Sequence, residues 1–533
     1  MSTRCAFVLL LWTAAAAQAQ TFAGGERENY LRYLQTVRLV PLYPWGARAF
    51  SVRELDELAP NTAAGGGEGR RRSDDRLVWL PLGTSVRFNS TFPYGYNDGP
   101  IWAGRGVTLA LEGGFVVRRG ALSLTIAPLA FVAQNTRFPL MGNTFAGGSV
   151  GDIIDRPQRF GNGAYARLDP GQSTLRVDWR AVAAGISTAN EYWGPATTFP
   201  IILGNNAPGF PHAFVGTAHP VSLGPIRVHG RVIWGRLAQS AFSPETLTGG
   251  RRFATGIVLD LTSRVVPGLE LGATRFAHQP WRHAGPTLRD VLAPFQGTER
   301  SLREANELAS VFFRWVLPNS GFEVYGEYGR DDYAANLRDF VLEPDHTGGY
   351  MVGFRKVVNA FGGVRPRGAV NDGRGVRDGS APTIRFLAIR VEIQNLQLSS
   401  LAQGGAWSPF YTHTLLRQGH TQLGQMLGSE AGPGGAGSVV AVESYSPSGR
   451  WTWSWTRMLR QQRGDPSGTT PDPKGVDVQH ELAVERLQRR GRGRGRYEIL
   501  ARVSGVYELN RNFTYDAFNV NVIVGMRVRL SAP

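Results

Sequence analysis

The sequence predicts an all-β protein, an antiparallel transmembrane β-barrel of about 18 strands with a short N-terminal periplasmic helical segment and long extracellular loops. Three observations predict it: apolar–polar alternation after residue 80, an export leader, and connections that are short and long by turns. Side chains of a strand project alternately to its two faces, so an alternating segment can separate lipid from a polar lumen. The last strand shows the pattern most clearly, with apolar residues at Phe518, Val520, Val522, Val524, Met526, Val528 and Leu530.

Residues 1–19 have the features of an export signal. Arg4 gives a positive start, an apolar stretch follows, and Ala17-Gln18-Ala19 forms an A-x-A cleavage site. The alternative, an N-terminal membrane anchor, is weaker because the run is short for a span of about 20 residues. The single cysteine, Cys5, would leave with the leader, which excludes disulfides, thiol catalysis and cysteine zinc sites from the mature chain. Leader and barrel together predict the cell outer membrane.

The mature chain divides into three parts. Residues 20–62 are predicted to be a periplasmic helical segment, with helix over 26–60, because Tyr30, Leu31, Leu34 and Val37 fall on one helical face. Within it, Ser51 and Glu54 have the spacing of a capping box. A flexible linker and approach to the barrel, residues 63–83, is predicted next, and the barrel itself covers 84–530.

Eighteen strands can be placed by alternation. They are predicted at 84–92, 105–118, 120–133, 173–179, 182–189, 213–223, 226–237, 252–264, 269–277, 307–317, 322–330, 347–357, 383–394, 438–446, 450–459, 478–488, 496–508 and 515–530. Turns on the periplasmic side are mostly short and outer loops long, as in bacterial barrels. Two features fit less well: the 358–381 insert is long on the short side, and 173–179 is short for a span. A secreted β-sandwich or propeller is the rival fold, but it does not explain the asymmetric connections.

The net charge of +16 becomes +15 when Arg4 is lost. A basic excess suits nucleic acid, anionic lipid or an acidic polymer, and export argues against nucleic acid. An equal alternative is an arginine-rich composition spread over lumen and loops. Charge toward hydrocarbon is costly, so the lumen is predicted to hold Arg227, His229, Arg231, Glu481, Glu485, Glu498, Arg502, Arg527 and Arg529. Trp451, Trp453 and Trp455 are predicted to face lipid.

The loop at 190–212 has the most unusual composition. Glu191, Asn205 and Asn206 offer hydrogen-bonding groups, and Tyr192 and Trp193 offer flat apolar rings. Sugars use both kinds of contact, polar groups for hydroxyls and rings for C–H faces. The alternative is a folded-in loop that plugs the barrel, with its aromatic residues as a small core. Both interpretations remain open at the level of sequence, and they are compatible.

Two motifs resemble the capsule assembly Wzi family. They are Trp102-Ala103-Gly104-Arg105-Gly106 entering a strand, and Trp193-Gly194-Pro195 followed by Asn205-Asn206-Ala207. The resemblance extends to the helix at 30–34 and the strand at 120–128. It implies an outer-membrane barrel of eighteen strands with periplasmic helices, and a lectin-like role in holding capsular polysaccharide. The chain departs from the family at Tyr192, where a Trp is expected, and in the 358–381 insert.

We therefore expect a non-enzymatic surface protein that attaches or organises capsular or extracellular polysaccharide. The predicted polysaccharide-binding residues are Trp102, Arg105, Glu191, Tyr192, Trp193, Asn205 and Asn206, with Trp281, Trp407 and Tyr411 as outer contacts. The expected partners are that polysaccharide and outer-membrane lipid, with no nucleic acid, and the chain is expected to be a monomer. No cofactor or metal is expected. The alternatives are a porin or uptake channel, and a hydrolase, whose G-x-S-x-G pattern at 147–151 lacks strand and helix context.

Overall fold

The computed structural model describes the greater part of the chain. The described residues are 24–48, 50–51, 54, 58, 76–139, 161, 163–242, 250–295, 305–331, 347–358, 385–399, 409–413, 416, 418–461, 476–491, 497–512 and 514–528. The leader predicted at 1–19, most of the predicted linker, residues 359–381 of the insert, Trp407 and Arg529 lie outside them.

Eighteen antiparallel strands form a closed barrel. Strands adjacent in sequence pair with each other, and the last strand pairs with the first from Leu82↔Val528 to Asn89↔Asn521. The strands are β1 (Arg76–Asn89), β2 (Gly106–Arg119), β3 (Leu122–Ile126 and Leu129–Ala133), β4 (Tyr165–Asp169 and Thr174–Trp179), β5 (Val182–Ser187), β6 (His212–Thr217 and Val221–Leu223), β7 (Ile226–Ala238), β8 (Arg251–Ser263), β9 (Leu269–Pro280), β10 (Asn306–Leu317), β11 (Phe322–Asp331), β12 (Gly348–Val358), β13 (Phe386–Asn395), β14 (Ala436–Ser446), β15 (Gly449–Gln461), β16 (Val476–Arg490), β17 (Tyr497–Arg511) and β18 (Tyr515–Val528). The predicted fold class and strand order are confirmed.

Two strands differ from the predicted bounds because proline interrupts the alternation. β1 begins at Arg76 rather than at 84, and its register shifts between Leu80 and Gly83, around Pro81. A bulge of this kind moves the following side chains to the other face, which hides the strand from a period-2 pattern. β4 is longer than the predicted 173–179, because a first half precedes Pro170. The full strand removes the misfit of a short span.

The two faces of the barrel differ as predicted. Large apolar side chains are exposed on the outer wall, and they include Val86, Leu109, Val311, Val352, Trp451, Trp453 and Val524. Interior charges are paired: Arg231 with Glu191 (2.6 Å), Arg502 with Glu481 (2.7 Å) and Arg527 with Glu112 (2.9 Å). No helix in the described part of the chain is long and apolar enough to cross a membrane.

The N-terminal segment is only partly helical. Helix α1 covers Glu26–Thr36, and Ser51 and Glu54 form the predicted capping box, with N–H···O distances of 2.7 and 3.2 Å. The prediction of helix through 37–48 is wrong, since Arg38 adopts a positive φ of 59° and two prolines follow. α1 lies inside the barrel near the end with the short turns, where its tyrosine rings pack on Phe386 and Tyr445.

Three segments fill much of the lumen. They are residues 24–48, residues 188–211 and residues 418–435, which include a small hairpin of Thr421–Gln422 and Gln425–Met426. We call the first two the plug. Its largest cluster of buried side chains joins both segments to the barrel wall, and it includes Ala47, Trp193, Ile201, Ile202, Leu203, Phe210, Ile233, Phe276, Tyr325, Tyr411 and Met426. A second helix, α2 (Leu288–Leu292), lies in a long connection outside the lumen and continues into a 3-10 turn, Ala293–Phe295.

Candidate functional site

The loop at 190–212 folds into the barrel and meets the N-terminal segment there. The Gly194 N–H donates to Gly46 O (2.8 Å), and the Arg48 N–H donates to Tyr192 O (2.9 Å). Ala47 and Trp193 form an isolated antiparallel bridge. Backbone groups buried in the lumen are satisfied in this way, so the two halves of the plug hold each other.

Two buried arginines connect the segments of the plug to each other and to the barrel wall. Arg48 donates to Glu28 Oε1 (3.1 Å) and Gly194 O (2.9 Å), and its guanidinium lies 3.7 Å from the centroid of the Tyr192 ring. Arg32 donates to Glu323 Oε1 (2.7 Å) on β11 and to Pro195 O (2.7 Å). Both side chains are almost fully buried. Charges in such positions are tolerated only when each is paired and hydrogen-bonded.

A carboxylate on the wall fastens the loop from the side. Glu392 on β13 accepts backbone N–H groups from Thr197 (2.8 Å), Thr198 (2.9 Å) and Phe199 (2.6 Å). It also accepts the Tyr325 hydroxyl at 3.0 Å. Three consecutive backbone N–H groups are satisfied by this one side chain, so Glu392 fixes the path of the loop after the Trp193 motif.

Glu191 is a structural ion-pair partner. Its Oε1 lies 2.6 Å from Arg231 Nη1 and 3.4 Å from His212 Nε2, and its Oε2 accepts the Trp193 indole N–H at 3.1 Å. Burial alone would raise the pKa of Glu191, but Arg231 and His212 lower this pKa to about 2. The carboxylate is therefore charged and engaged within the protein.

These contacts place Glu191, Tyr192 and Trp193 inside the plug. Tyr192 is 1% exposed and Trp193 is 0% exposed, so neither ring faces solvent in this conformation. Of the two interpretations of this loop that the sequence allowed, the structure shows the loop folded into the barrel as part of a plug. What these three residues can do here is hold the loop, and through it the outer rim, in place.

A recess lies at the outer rim of the barrel. It is formed by the 90–105 loop between β1 and β2, by Asn206 and by the 425–430 segment. Its lining is aromatic and polar: Tyr94, Gly95, Tyr96, Asp98, Ile101, Trp102, Ala103, Asn206, Gln425, Met426 and Glu430. We call it the rim recess. A second, adjoining hollow shares Tyr94, Gly95, Tyr96 and Glu430 and adds Arg460 and Arg511.

Two buried polar atoms at the rim recess, Asn97 Oδ1 and Gln425 Oε1, have no hydrogen-bond partner among the described residues. The hydroxyl of Tyr94 lines the rim recess beside Glu481. A buried polar group without a partner costs about 1–3 kcal/mol, and such groups need an explanation. A hydroxylated ligand lying on the exposed parts of Tyr96 and Gln425 could satisfy them.

The rim recess is held rigidly. The Gly99 N–H donates to Asn205 O (2.7 Å), and Asn97 Nδ2 donates to Thr198 O (2.9 Å), which joins the rim to the plug. The Tyr96 hydroxyl donates to Glu481 Oε2 at 2.9 Å. Burial and Glu481 raise the pKa of Tyr96 to about 12, so the phenol is neutral at physiological pH.

The structure therefore divides the seven predicted site residues. Trp102 and Asn206 line the rim recess, and Asn205 supports it through its backbone. Arg105 lies beside it, where it donates to Ser90 O (3.3 Å) and to Arg137 O. Glu191, Tyr192 and Trp193 lie below, within the plug. Of the outer contacts, Tyr411 is buried and Trp281 is on the outer wall.

The sequence reasoning missed Tyr94, Tyr96, Asp98, Gln425 and Glu430. A signal for the first three was present: Tyr94-Gly95-Tyr96-Asn97-Asp98-Gly99 combines aromatic and turn residues directly before Trp102. Gln425 and Glu430 carry no local signal, because they reach the rim recess from a segment more than three hundred residues away in sequence. Among the described residues, no group of three or more His, Cys, Asp or Glu is arranged to hold a metal ion.

The fold and its apolar exterior define an outer-membrane β-barrel. No family model matches the sequence, and no curated protein matches it. Among solved structures the chain is similar to Escherichia coli Wzi, an outer-membrane protein involved in group 1 capsule assembly and a carbohydrate-binding β-barrel. The TM-score is 0.61 at 13% identity, over 96% of this chain and 100% of that one. Pseudomonas aeruginosa OprD gives a TM-score of 0.40 at 8% identity, over 85% of this chain and 95% of that one. The likeness to Wzi confirms the expected fold.

Proposed function

We propose that this protein binds capsular or other extracellular polysaccharide at the rim recess and holds it on the cell surface without chemical turnover. The observation that carries the proposal is the combination of aromatic rings and unsatisfied polar atoms on a rigid outer rim. Rings stack on the C–H faces of sugars, and the polar atoms pair with hydroxyls. The similarity of fold to Wzi, which binds carbohydrate, points the same way.

We further propose that the protein acts as a monomer without a cofactor. Asp98 and Glu430 line the rim recess together with neutral groups, while Arg460 and Arg511 line the adjoining hollow. Arg511 is fastened by Glu508 (2.5 Å) and lies over the Phe92 ring. Arg460 is paired with Glu430 (3.3 Å) and Glu508 (3.4 Å), so both arginines of the hollow are neutralised within the protein.

The test is binding of polysaccharide from the native host, and of a glycan array, to full-length protein refolded in detergent. Tyr94→Phe removes a hydroxyl that lines the rim recess, and Gln425→Ala removes the unpartnered amide oxygen. Because a hydrogen bond contributes about 0.5–1.5 kcal/mol, each variant should lose roughly three- to tenfold in affinity. Tyr350→Phe, on the outer wall, is the matched control and should bind normally. Equal binding by all four proteins would reject the rim recess as the site.

A porin or uptake channel is the alternative, and it requires an open lumen. The plug and the 418–435 segment occupy the lumen among the described residues, so we expect little current through the protein in a planar bilayer. Regular open-channel steps from the unmodified protein would favour transport.

A further inference from the structure

One connection folds outside the barrel rather than over its mouth. Residues 281–295, after β9, lie against the outer wall: the Trp234 indole N–H on β7 donates to Val291 O (2.8 Å), and Arg275 Nη1 on β9 donates to Pro294 O (3.4 Å). The short helix α2 begins with a capping box, in which Thr287 and Asp290 exchange hydrogen bonds. We call residues 281–295 the outer strap.

The outer strap covers charge that would otherwise face hydrocarbon. Arg275 and Glu307 form an ion pair on the outward faces of β9 and β10, and Glu307 is only 9% exposed. An uncovered arginine on the lipid face costs about 2–4 kcal/mol at the bilayer midplane and less near the interface. Covering by the outer strap lowers this cost.

The surface of the outer strap that faces away from the barrel is apolar. Leu288 is 74% exposed, Phe295 is 61% exposed and Leu292 is 41% exposed. Apolar side chains on a short amphipathic segment bind the boundary between head groups and acyl chains. Exposed apolar area on this scale is costly in water, so the surface fits a lipid environment.

The register of the strands gives the height of the outer strap. Arg275 pairs with Ala309, and the outward row two residues toward the periplasm contains Val311 (59% exposed), Tyr328 and Tyr350 (49% exposed). Aromatic side chains on the outer wall mark the interfaces of a membrane barrel. The outer strap therefore lies at the upper edge of the apolar band.

The edge of the outer strap is basic. Arg236 is exposed two residues from Trp234 on the same face, and Arg289 is exposed two residues before Val291, which Trp234 contacts. The acidic residues of this face are engaged, Glu307 by Arg275 and Asp290 by the cap of α2. The site thus combines an apolar surface with an excess of positive charge at its edge.

We infer that the outer strap binds an anionic lipid of the outer leaflet. The acyl chains lie along Leu288, Leu292 and Phe295, and the phosphate group of the lipid lies at Arg236 and Arg289. This inference is independent of polysaccharide binding, because the outer strap and the rim recess share no residue.

Depth is tested first with spin labels, and the absence of cysteine after Cys5 makes single labels simple to place. The full mature chain carrying Leu292→Cys is labelled in vesicles of lipid A and phosphatidylethanolamine. Val311→Cys is the lipid-facing control and Thr514→Cys is the aqueous control. The label at 292 should be relaxed by oxygen more than by a water-soluble nickel complex, as at 311. A label at 292 that behaves as at 514, or one shielded from both reagents by another protein copy, would overturn the inference.

Head-group recognition is tested by retention of lipid A on detergent-purified protein, measured by native mass spectrometry. Each arginine near an anionic membrane surface contributes about fivefold to binding, so Arg236→Gln with Arg289→Gln should weaken retention of bisphosphorylated lipid A by about 25-fold. Retention of zwitterionic phosphatidylethanolamine should not change. Equal retention of both lipids before and after substitution would overturn the anionic assignment, whatever the depth of the label.

Discussion

Two sectors of the barrel interior carry the same kind of residue and use it differently. Where the plug lies against the wall, the side chains of Arg314 on β10 and Glu270 on β9 form an ion pair and are 2% and 1% exposed. In the sector formed by β18, β1 and β2, the interior pair of Arg527 and Glu112 is 51% and 23% exposed. Both pairs project into the lumen. The difference is that the plug covers the first pair. Apolar–polar alternation therefore identifies which face of a strand points into the lumen, but not whether another segment packs against that face.

Among the described residues, the second sector is covered at its outer end and not at the end with the short turns. Toward the outer end, the 90–105 loop crosses it, and Asn89 Nδ2 donates to the carbonyls of Tyr94 (3.0 Å) and Ala103 (3.1 Å). Asn519 and Asn521 in turn donate to Asn89 Oδ1. The loop that carries the rim recess is thus also the cover of this sector, so the binding surface and the closure of the barrel depend on the same hydrogen bonds.

The largest effect is expected from truncating the plug. Trp193→Ala removes a side chain that is 0% exposed, and the lost packing and the cavity should cost about 3–5 kcal/mol. We expect a lower thermal unfolding temperature in detergent and the appearance of channel steps in bilayers. Trp453→Ala, on the lipid-facing wall, is the matched control. If both variants lost stability equally and neither formed channels, the plug would not be the element that closes the lumen.

Removing Arg48, a buried arginine of the plug, should have a similar but more local effect on stability. Arg48→Met leaves Glu28 and the Gly194 carbonyl without their partner, at a cost of about 3 kcal/mol. The N-terminal segment should then be cut faster by trypsin added from the side of the short turns, and Arg38 is a cleavage point in it. Arg119→Met, an exposed arginine at a short turn, is the control and should leave the cleavage rate of the N-terminal segment unchanged. An unchanged cleavage rate in Arg48→Met would show that the plug is held by its apolar cluster alone.

Acid should loosen the plug through Glu191. Its pKa is lowered from 4.5 to about 2, so its stabilising contribution is complete above pH 4.5 and is lost as the pH falls from 4.5 toward 2. A shift of this size corresponds to about 3 kcal/mol. Denaturation midpoints at pH 6 and pH 3 measure it, and Glu191→Gln should reduce the difference between them. A variant with the same pH dependence as the unmodified protein would assign the acid sensitivity to other carboxylates.

The smallest effect is expected in the open sector. Arg527→Ala breaks a pair whose arginine is half exposed, and exposed pairs contribute about 0–1 kcal/mol. The unfolding temperature should hardly move, in contrast to the Arg48 variant. A loss as large as that of Arg48→Met would mean that the second sector is also covered, and the contrast between the sectors would disappear.

The fold could be predicted from the sequence because apolar–polar alternation is a local property of each strand. One face of each strand meets lipid, so Trp451 and Trp453 could be assigned to the exterior from alternation alone. The export leader, the turn lengths and the resemblance to the Wzi family together supplied the topology and the strand number. The strand starts were predicted poorly only where Pro81 and Pro170 break the alternation.

Only part of the candidate site could be predicted, because its residues come from segments that are far apart in the sequence. Trp102 and Asn206 belong to separate loops, and only the folded chain shows that they meet Gln425. Trp193 has the composition of a ligand contact, yet burial decides its role, and burial depends on segments distant in sequence. Aromatic loop residues serve a core or a sugar equally well, so composition alone could not separate the plug from the rim recess.

Hydrogen–deuterium exchange with and without the host polysaccharide tests the central claim most directly. We predict slower exchange in the peptides covering 94–102 and 425–430, where ligand would contact the rim, and no change in the short turns such as 224–225. Protection confined to other surfaces, or no protection at saturating polysaccharide, would contradict the assignment of the rim recess as the binding site.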